Sequence, residues 1–176
     1  KVKVTKMCPL FPAAKGPERL FEFFRTHHMD FETIEHPEVL TVDTMMPYLS
    51  HVHDGAISKN LFLKDKKGGL YLLSVSHDKD VNLRVLAEKM KASGGLRLAS
   101  AELLYDCLQV KQGCVTAFAL LNDVENKVQF WADEGLFQMS KVYFHPLVNT
   151  ATTGLSCRDF KTFVELTGHH LNVVSI

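Results

Sequence analysis

Two apolar runs, residues 56–63 and 70–76, stand on either side of the polar stretch Lys64-Asp65-Lys66-Lys67-Gly68-Gly69. Runs of strand length around a Lys/Asp/Gly turn make a β-hairpin, and a hairpin forces two neighbouring strands to be antiparallel. That pairing excludes a doubly wound, all-parallel sheet for this chain. The rest of the sequence interleaves strands with helices, so the expected class is mixed α+β, a mixed sheet flanked by helices.

The helices announce themselves by their ends. Gly16-Pro17 opens one, with Leu20, Phe21, Phe24 and Met29 at helical spacing. Thr41 or Asp43 caps a short second helix through Met45, Met46 and Leu49, provided Pro47 falls in a first turn. Residues 80–92 are amphipathic and close on Gly94-Gly95, and Ser100 caps a helix through Leu103, Leu104 and Leu108. Ser156 and Asp159 start the last helix, residues 159–167, with Gly168 after it. Strands are predicted at 31–35, 115–121, 128–132, 141–144 and 171–176.

No repeat or Pro/Gly/Ser linker divides the chain. Its 176 residues, 46% of them apolar, suit one domain with a full core, residues 16–176, behind a tail, residues 1–15, in which Pro9 and Pro12 discourage regular structure. No apolar run approaches the ~20 residues of a membrane span, and no signal peptide opens the sequence, so no membrane partner is expected. Cys8, Cys107, Cys114 and Cys157 form no C-x-x-C pair, which predicts reduced thiols and a cytoplasmic setting.

Formal net charge is zero, which excludes a protein that coats nucleic acid or an anionic membrane by bulk charge. The distribution is uneven. Between Glu18 and Asp54 eight acids face two arginines, whereas between Lys59 and Arg97 nine bases face four acids, so an anionic ligand would seat on the central segment.

Metal and thiol chemistry find little support. His51-x-His53-Asp54 offers ligand types without a third and fourth ligand at a familiar spacing, and H-E-x-x-H is absent. Cys114 with His145 as its base lacks a third orienting group, and a buried small hydrophobe is the simpler reading of the thiol. His27-His28 and His169-His170 sit at predicted helix ends, where a positive partial charge is favourable.

Three segments carry more polar chemistry than a scaffold needs. Lys59 and Asn60 open an apolar strand in which side chains alternate, so one can reach a cleft while the strand stays anchored. Gly113-Cys114-Val115-Thr116-Ala117 can turn successive backbone N–H groups toward an acyl or phosphate oxygen. Residues 144–153 pack His145, Asn149 and three threonines into one proline-bent loop.

In order, His36-Pro37 with Thr41 downstream, Lys59-Asn60-Leu-Phe-Leu-Lys-Asp65, the Gly113 loop ending in Leu121-Asn122-Asp123, and Phe144-His-Pro-x-x-Asn149-x-Ala-Thr152-Thr resemble the prolyl-tRNA editing family. This is the YbaK/ProX group, also called aminoacyl-tRNA deacylase or synthetase-associated domain. The likeness runs from about Leu20 to the end and is nearest the free-standing branch that removes alanine from tRNA for proline.

The resemblance implies a twisted, mixed, partly closed β-sheet flanked by helices, with a cleft for the tRNA 3′ adenosine and its amino acid. It implies ester hydrolysis with no metal, no cofactor and no protein nucleophile, the ribose 2′-hydroxyl helping to activate water. By likeness, Lys59 engages the terminal phosphate or ribose, Asn60 is a second polar position, and His145 positions the ester or water. Backbone N–H groups from Gly113 to Ala117 orient the carbonyl, and Asn149 and Thr152 fix the His145 loop. Met45 and Met46 are the expected pocket wall that selects by size. The implied partners are aminoacylated tRNA, through its 3′ end and acceptor stem, and prolyl-tRNA synthetase. Ala117 stands where the family's Gly-x-x-x-Pro loop has proline. That departure keeps two alternatives open: a non-catalytic tRNA- or synthetase-binding module, or an editing domain for serine or cysteine.

Overall fold

The computed structural model describes residues 16–176; the predicted tail, and with it Cys8, lies outside them. Eight strands form one mixed sheet in the order β1-β7-β6-β2-β3-β5-β8, with β4 beside the far end of β2. The strands are β1 (Phe31–Glu35), β2 (Gly55–Asp65), β3 (Leu70–Ser76), β4 (Leu96–Leu98), β5 (Val128–Asp133), β6 (Lys141–Phe144), β7 (Ala151–Ser156) and β8 (Leu171–Val174). Antiparallel β2–β3 is the predicted hairpin, with Ser58 opposite Ser76 and Lys64 opposite Leu70. β2 also pairs in parallel with β6 through Gly55–Ile57, and β3 with β5, so the long β2 ties the two halves of the sheet together.

Alternation along β2 and β3 divides the core. Ala56, Phe62 and Leu72 face the main cluster, built with α1 (Pro17–Thr26), α4 (Ala101–Leu108) and α5 (Cys157–Leu166). Leu63, Tyr71, Leu73 and Val75 face the opposite side, under Leu86 of α3 (Leu83–Lys89) and its C-cap Met90. A third cluster seats α2 (Val42–Met45) and its 3-10 extension Met46–Leu49 over Ile57 and Tyr143. Phe118 is fully buried at the centre of the first, its ring edge-on to Phe24 at 5.3 Å, Phe144 at 5.2 Å and Phe163 at 5.5 Å. Burial of a ring that size contributes about 1.5–3 kcal/mol before the geometry of the aromatic pairs is counted.

The caps behave as the sequence implies. Thr41 Oγ1 accepts from the Thr44 N–H, Ser100 Oγ from Leu103 and Ser156 Oγ from Asp159. Two expectations are corrected. Residues 115–121, predicted as a strand, instead enter a 3-10 helix, Ala117–Asn122; its five apolar residues, Ala117 to Leu121, are all buried, and an unbroken apolar stretch has no period that tells strand from helix. The third helix is shorter than residues 80–92: α3 spans Leu83–Lys89, because Asn82, not Asp80, supplies the cap. His169 does sit at the end of the last helix, its N–H on the Val164 carbonyl, and it is buried there, with Nε2 3.0 Å from Asp123 Oδ2 and Nδ1 3.0 Å from Thr167 Oγ1. Strand β7 lies partly within what reads as a polar loop.

Asp123 also accepts from the N–H groups of Lys127 and Val128. Burial drives its pKa up, but the His169 bond and the two backbone donors outweigh that, and the net shift is downward. On the far side, Tyr143 lies between two strands that carry no side chain at the contact. A Cβ at Gly55 would lie 2.1 Å from its ring and one at Gly154 2.5 Å. These glycines are there for space.

Candidate functional site

A cleft of about 350 Å³ opens where β2, the start of α2 and the Gly113 loop meet. Its walls include Leu40, Thr41, Val42 and Met45 from one side, Ser58, Lys59 and Asn60 from β2, Gln112, Gly113 and Val115 from the loop, and His145. Of the residues expected from the sequence, Met45, Lys59, Asn60, Gly113, Val115 and His145 are therefore brought together. Leu40, Val42, Ser58 and Gln112 were not singled out as site residues. Only the alternation of β2, which puts Ser58 and Asn60 on one face, signals any of them beforehand.

Asn60 is held by a short polar chain. Its Oδ1 accepts from Ser74 Oγ at 2.6 Å, its Nδ2 donates to Ser58 Oγ at 3.3 Å, and Ser58 Oγ donates to the Tyr143 carbonyl at 2.8 Å. One amide hydrogen of Asn60 is left for a ligand. Lys59 also lines the cleft, while its Nζ donates to the Lys79 carbonyl.

His145 Nδ1 is 3.0 Å from the Ala151 carbonyl. A carbonyl only accepts, so Nδ1 carries the hydrogen and Nε2 of the neutral ring is the lone-pair nitrogen. Burial pushes the imidazole pKa below 6.5; the Ala151 bond opposes this and nearby His36 adds to it. The His36 ring is 6.1 Å from that of His145 and is itself clamped, Nδ1 on the Pro37 carbonyl at 2.9 Å and Nε2 on Thr152 Oγ1 at 2.9 Å.

Thr152 and Asn149 are off the cleft and act on the residues that line it. Thr152 Oγ1 is 3.3 Å from Met45 Sδ. Asn149 Nδ2 donates to the Val39 carbonyl at 3.0 Å and to Glu38 Oε1 at 3.2 Å, and the Val39 N–H returns a bond to the Asn149 carbonyl. The segment before α2 is thus stapled to the His145 loop.

Within the glycine loop only part of the backbone faces the cleft. Gly113 sits at φ +87°, a conformation that favours glycine, and the Cys114 N–H turns back onto the Lys111 carbonyl at 3.0 Å. The N–H groups of Gly113 and Val115 have no acceptor among the described residues. Thr116 and Ala117 are fully buried: Thr116 Oγ1 caps Phe118, and Ala117 begins the 3-10 helix. Cys114 packs against the main core, off the cleft, and burial raises its thiol pKa. Met46 does not line the cleft; it packs against the cluster around Ile57 and Tyr143, to which Met45 also belongs.

Among the described residues no three His, Cys, Asp or Glu side chains converge as metal ligands, and no helix is long and apolar enough to cross a membrane.

Residues 36–163 match the model of the aminoacyl-tRNA editing domain. The chain belongs to that family. The chain is 49% identical to a bovine prolyl-tRNA synthetase associated domain-containing protein 1 over 142 residues, which are 78% of this chain and 82% of that one. The prolyl-tRNA editing protein ProX of Acetoanaerobium sticklandii is 32% identical over 149 residues, covering 84% and 90%. A crystal structure of a candidate trans-editing enzyme for prolyl tRNA synthetase superposes with a TM-score of 0.65 at 17% identity, over 93% of this chain and 99% of that one, which shows the shared fold. Every residue lining the cleft falls inside the family segment.

Proposed function

We propose that the chain is a trans-acting deacylase that hydrolyses the alanyl ester of mischarged tRNA for proline. The observation that carries this reading is that Gly113 and Val115, whose N–H groups have no acceptor among the described residues, line one cleft together with Asn60 and His145. Water adds to the ester carbonyl carbon, and the bond to the ribose oxygen breaks to release alanine and the free 3′ end. The Gly113 and Val115 N–H groups bind the oxygen on which charge develops, each donor being worth ~3–4 kcal/mol of barrier when preorganised. His145 Nε2 accepts a hydrogen bond from the attacking water or the neighbouring ribose hydroxyl. Lys59 leaves the Lys79 carbonyl to meet the terminal phosphate as the tRNA arrives, a role suited to a localised charge on a flexible stem.

No metal and no thiol nucleophile enter this scheme. Cys114 is off the cleft with its pKa raised, which supports direct attack by water. Size selection falls to Met45, 3% exposed and braced by Thr152, because a residue packed this closely cannot yield to a larger amino acid. Asn149 and Thr152 are positioning residues. The missing loop proline does not argue against hydrolysis: Ala117 occupies the first position of a helix already capped by Thr116.

One observation favours a second reading, a tRNA- or synthetase-binding module without hydrolysis: the Lys59 ammonium is docked on Lys79. A deacylation panel decides between them. Alanyl-, seryl- and cysteinyl-tRNA for proline are offered to the wild type and to Lys59→Ala. Release of alanine that is lost in the variant supports the first reading. Tight tRNA binding with no ester hydrolysis selects the second, and a preference for the seryl or cysteinyl ester overturns the alanine assignment.

A further inference from the structure

The even-numbered positions of β2 share one face: Ser58 and Asn60 line the cleft, Phe62 enters the core, and Lys64 comes next. Arg97 of β4 is the register partner of Lys64, and directly opposed residues present their side chains on the same face. Beyond the strand end, Lys66 lines a depression of about 250 Å³ together with Gly94, Gly95, Leu96 and Arg97. A smaller pocket of about 130 Å³ adjoins the cleft on the side toward this depression. It shares Asn60, Gln112 and Val115 with the cleft and reaches Leu98, next to Arg97.

The charge there is uncompensated. Lys64, Lys66, Lys67 and Arg97 have no carboxylate within 4.0 Å among the described residues. The one acid of the turn, Asp65, is buried, and its carboxylate faces inward onto the N–H groups of Lys67 at 2.9 Å, Gly69 at 2.8 Å and Ser93 at 3.0 Å and the Tyr71 hydroxyl at 2.9 Å. Those bonds hold the hairpin turn against the 93–95 loop and leave the lysines outside. Gly94 and Gly95 both have positive φ, and their N–H groups donate to no acceptor among the described residues. A Cβ on Gly94 would come within 2.8 Å of Lys66 Cβ, so glycine keeps the depression open.

We propose that Lys64, Lys66, Lys67 and Arg97, with the N–H groups of Gly94 and Gly95, form a second binding site for the phosphodiester backbone of the substrate nucleic acid. It engages the strand upstream of the nucleotide whose ester lies in the cleft. Lys64 is four residues along β2 from Asn60, roughly 13 Å at about 3.3 Å per residue. At ~3.4 Å per nucleotide along one strand that spans about four nucleotides. The site therefore reads length and charge rather than base identity, and it distinguishes an acceptor arm from a short aminoacyl fragment. The inference rests on the deacylase reading for its substrate, and its test separates the two.

The double variants Lys66→Gln/Lys67→Gln and Lys64→Gln/Arg97→Gln are compared with wild type on alanyl-tRNA and on the alanyl ester of a CCA trinucleotide. The ratio of kcat/KM for tRNA over that for the trinucleotide is expected to fall ~10-fold or more in each variant. An unchanged ratio overturns the site. Binding of uncharged tRNA, followed by anisotropy against salt, gives a readout independent of chemistry. Loss of two phosphate contacts makes the slope of log K against log salt shallower by about 1.5. If the wild type hydrolyses neither ester, the deacylase reading fails alone, and the salt slope still decides the site: a shallower slope in the variants supports it, an unchanged slope overturns it.

Discussion

Nδ1 of His145 donates to the carbonyl of Ala151 at 3.0 Å, which leaves Nε2 as the lone-pair nitrogen of the one imidazole that lines the cleft. The contact joins the start of the residue 145–150 loop to the strand that ends it. The tautomer is therefore a property of β7.

The first prediction concerns proton uptake at this ring. Burial, aided by His36 and opposed by the Ala151 bond, holds the folded pKa below the ordinary 6.5. The unfolded chain takes the proton first as pH falls, so the stability contributed by neutral His145 is complete above 6.5 and is lost as pH drops from there through the folded value. An NMR titration should place His145 below 6.5, with no break in the deacylation rate at the ordinary histidine pKa. A midpoint above 6.5 contradicts the tautomer and its cause.

The glycine loop makes a second prediction. Gly113→Ala places a side chain on a residue at φ +87° and brings its Cβ within 3.4 Å of Leu40. Strain of ~1–2 kcal/mol lowers stability by that amount, a few degrees in Tm, and by re-aiming the Val115 N–H it should lower kcat on the order of 10-fold. Full activity in this variant would remove the loop from the proposed oxyanion site.

Asp123 and His169 supply a third. The pair is buried, with side chains 3% and 2% exposed, so deleting one partner strands the other. His169→Ala or Asp123→Ala should cost about 3–5 kcal/mol, a fall in Tm on the order of 10 °C. Because the Asp123 pKa is lowered in the fold, the wild-type contribution is present above pH 3.8 and is lost as pH falls through the folded value. Calorimetry of the variants across this range checks both statements.

The ring of Tyr143 gives a fourth. Gly154→Ala would put a Cβ 2.5 Å from that ring and should destabilise by about 1–3 kcal/mol. Adding Tyr143→Ala should recover part of that loss in a double-mutant cycle. Additive losses would show that the glycine is not there to make room for the ring.

Much of the architecture is legible in local signals, because caps and turns act over three or four residues. Thr41, Ser100 and Ser156 cap as their positions imply, and the Lys64-to-Gly69 turn makes its hairpin. Signals fail where local pattern is silent. Ala117–Asn122 is apolar at nearly every position, so no period marks it as helical, and Ala-Thr-Thr-Gly-Leu-Ser of β7 hides a strand with polar residues buried between its neighbours.

Residue types and their order carried the hairpin, the mixed sheet, the motif residues and the family likeness, since each depends on chemistry within a few positions of the chain. Tertiary packing decided the rest. Lys59 and Asn60 both line the cleft yet bond to different partners, because alternate residues of a strand point to opposite faces. Met45 lines the cleft and Met46 does not, because the packing of α2 over Ile57 and Tyr143 sets which side of that short helix faces inward. Asp65 turns inward while its neighbouring lysines stay out, because a buried carboxylate needs the donors that only the folded turn and the 93–95 loop bring to it.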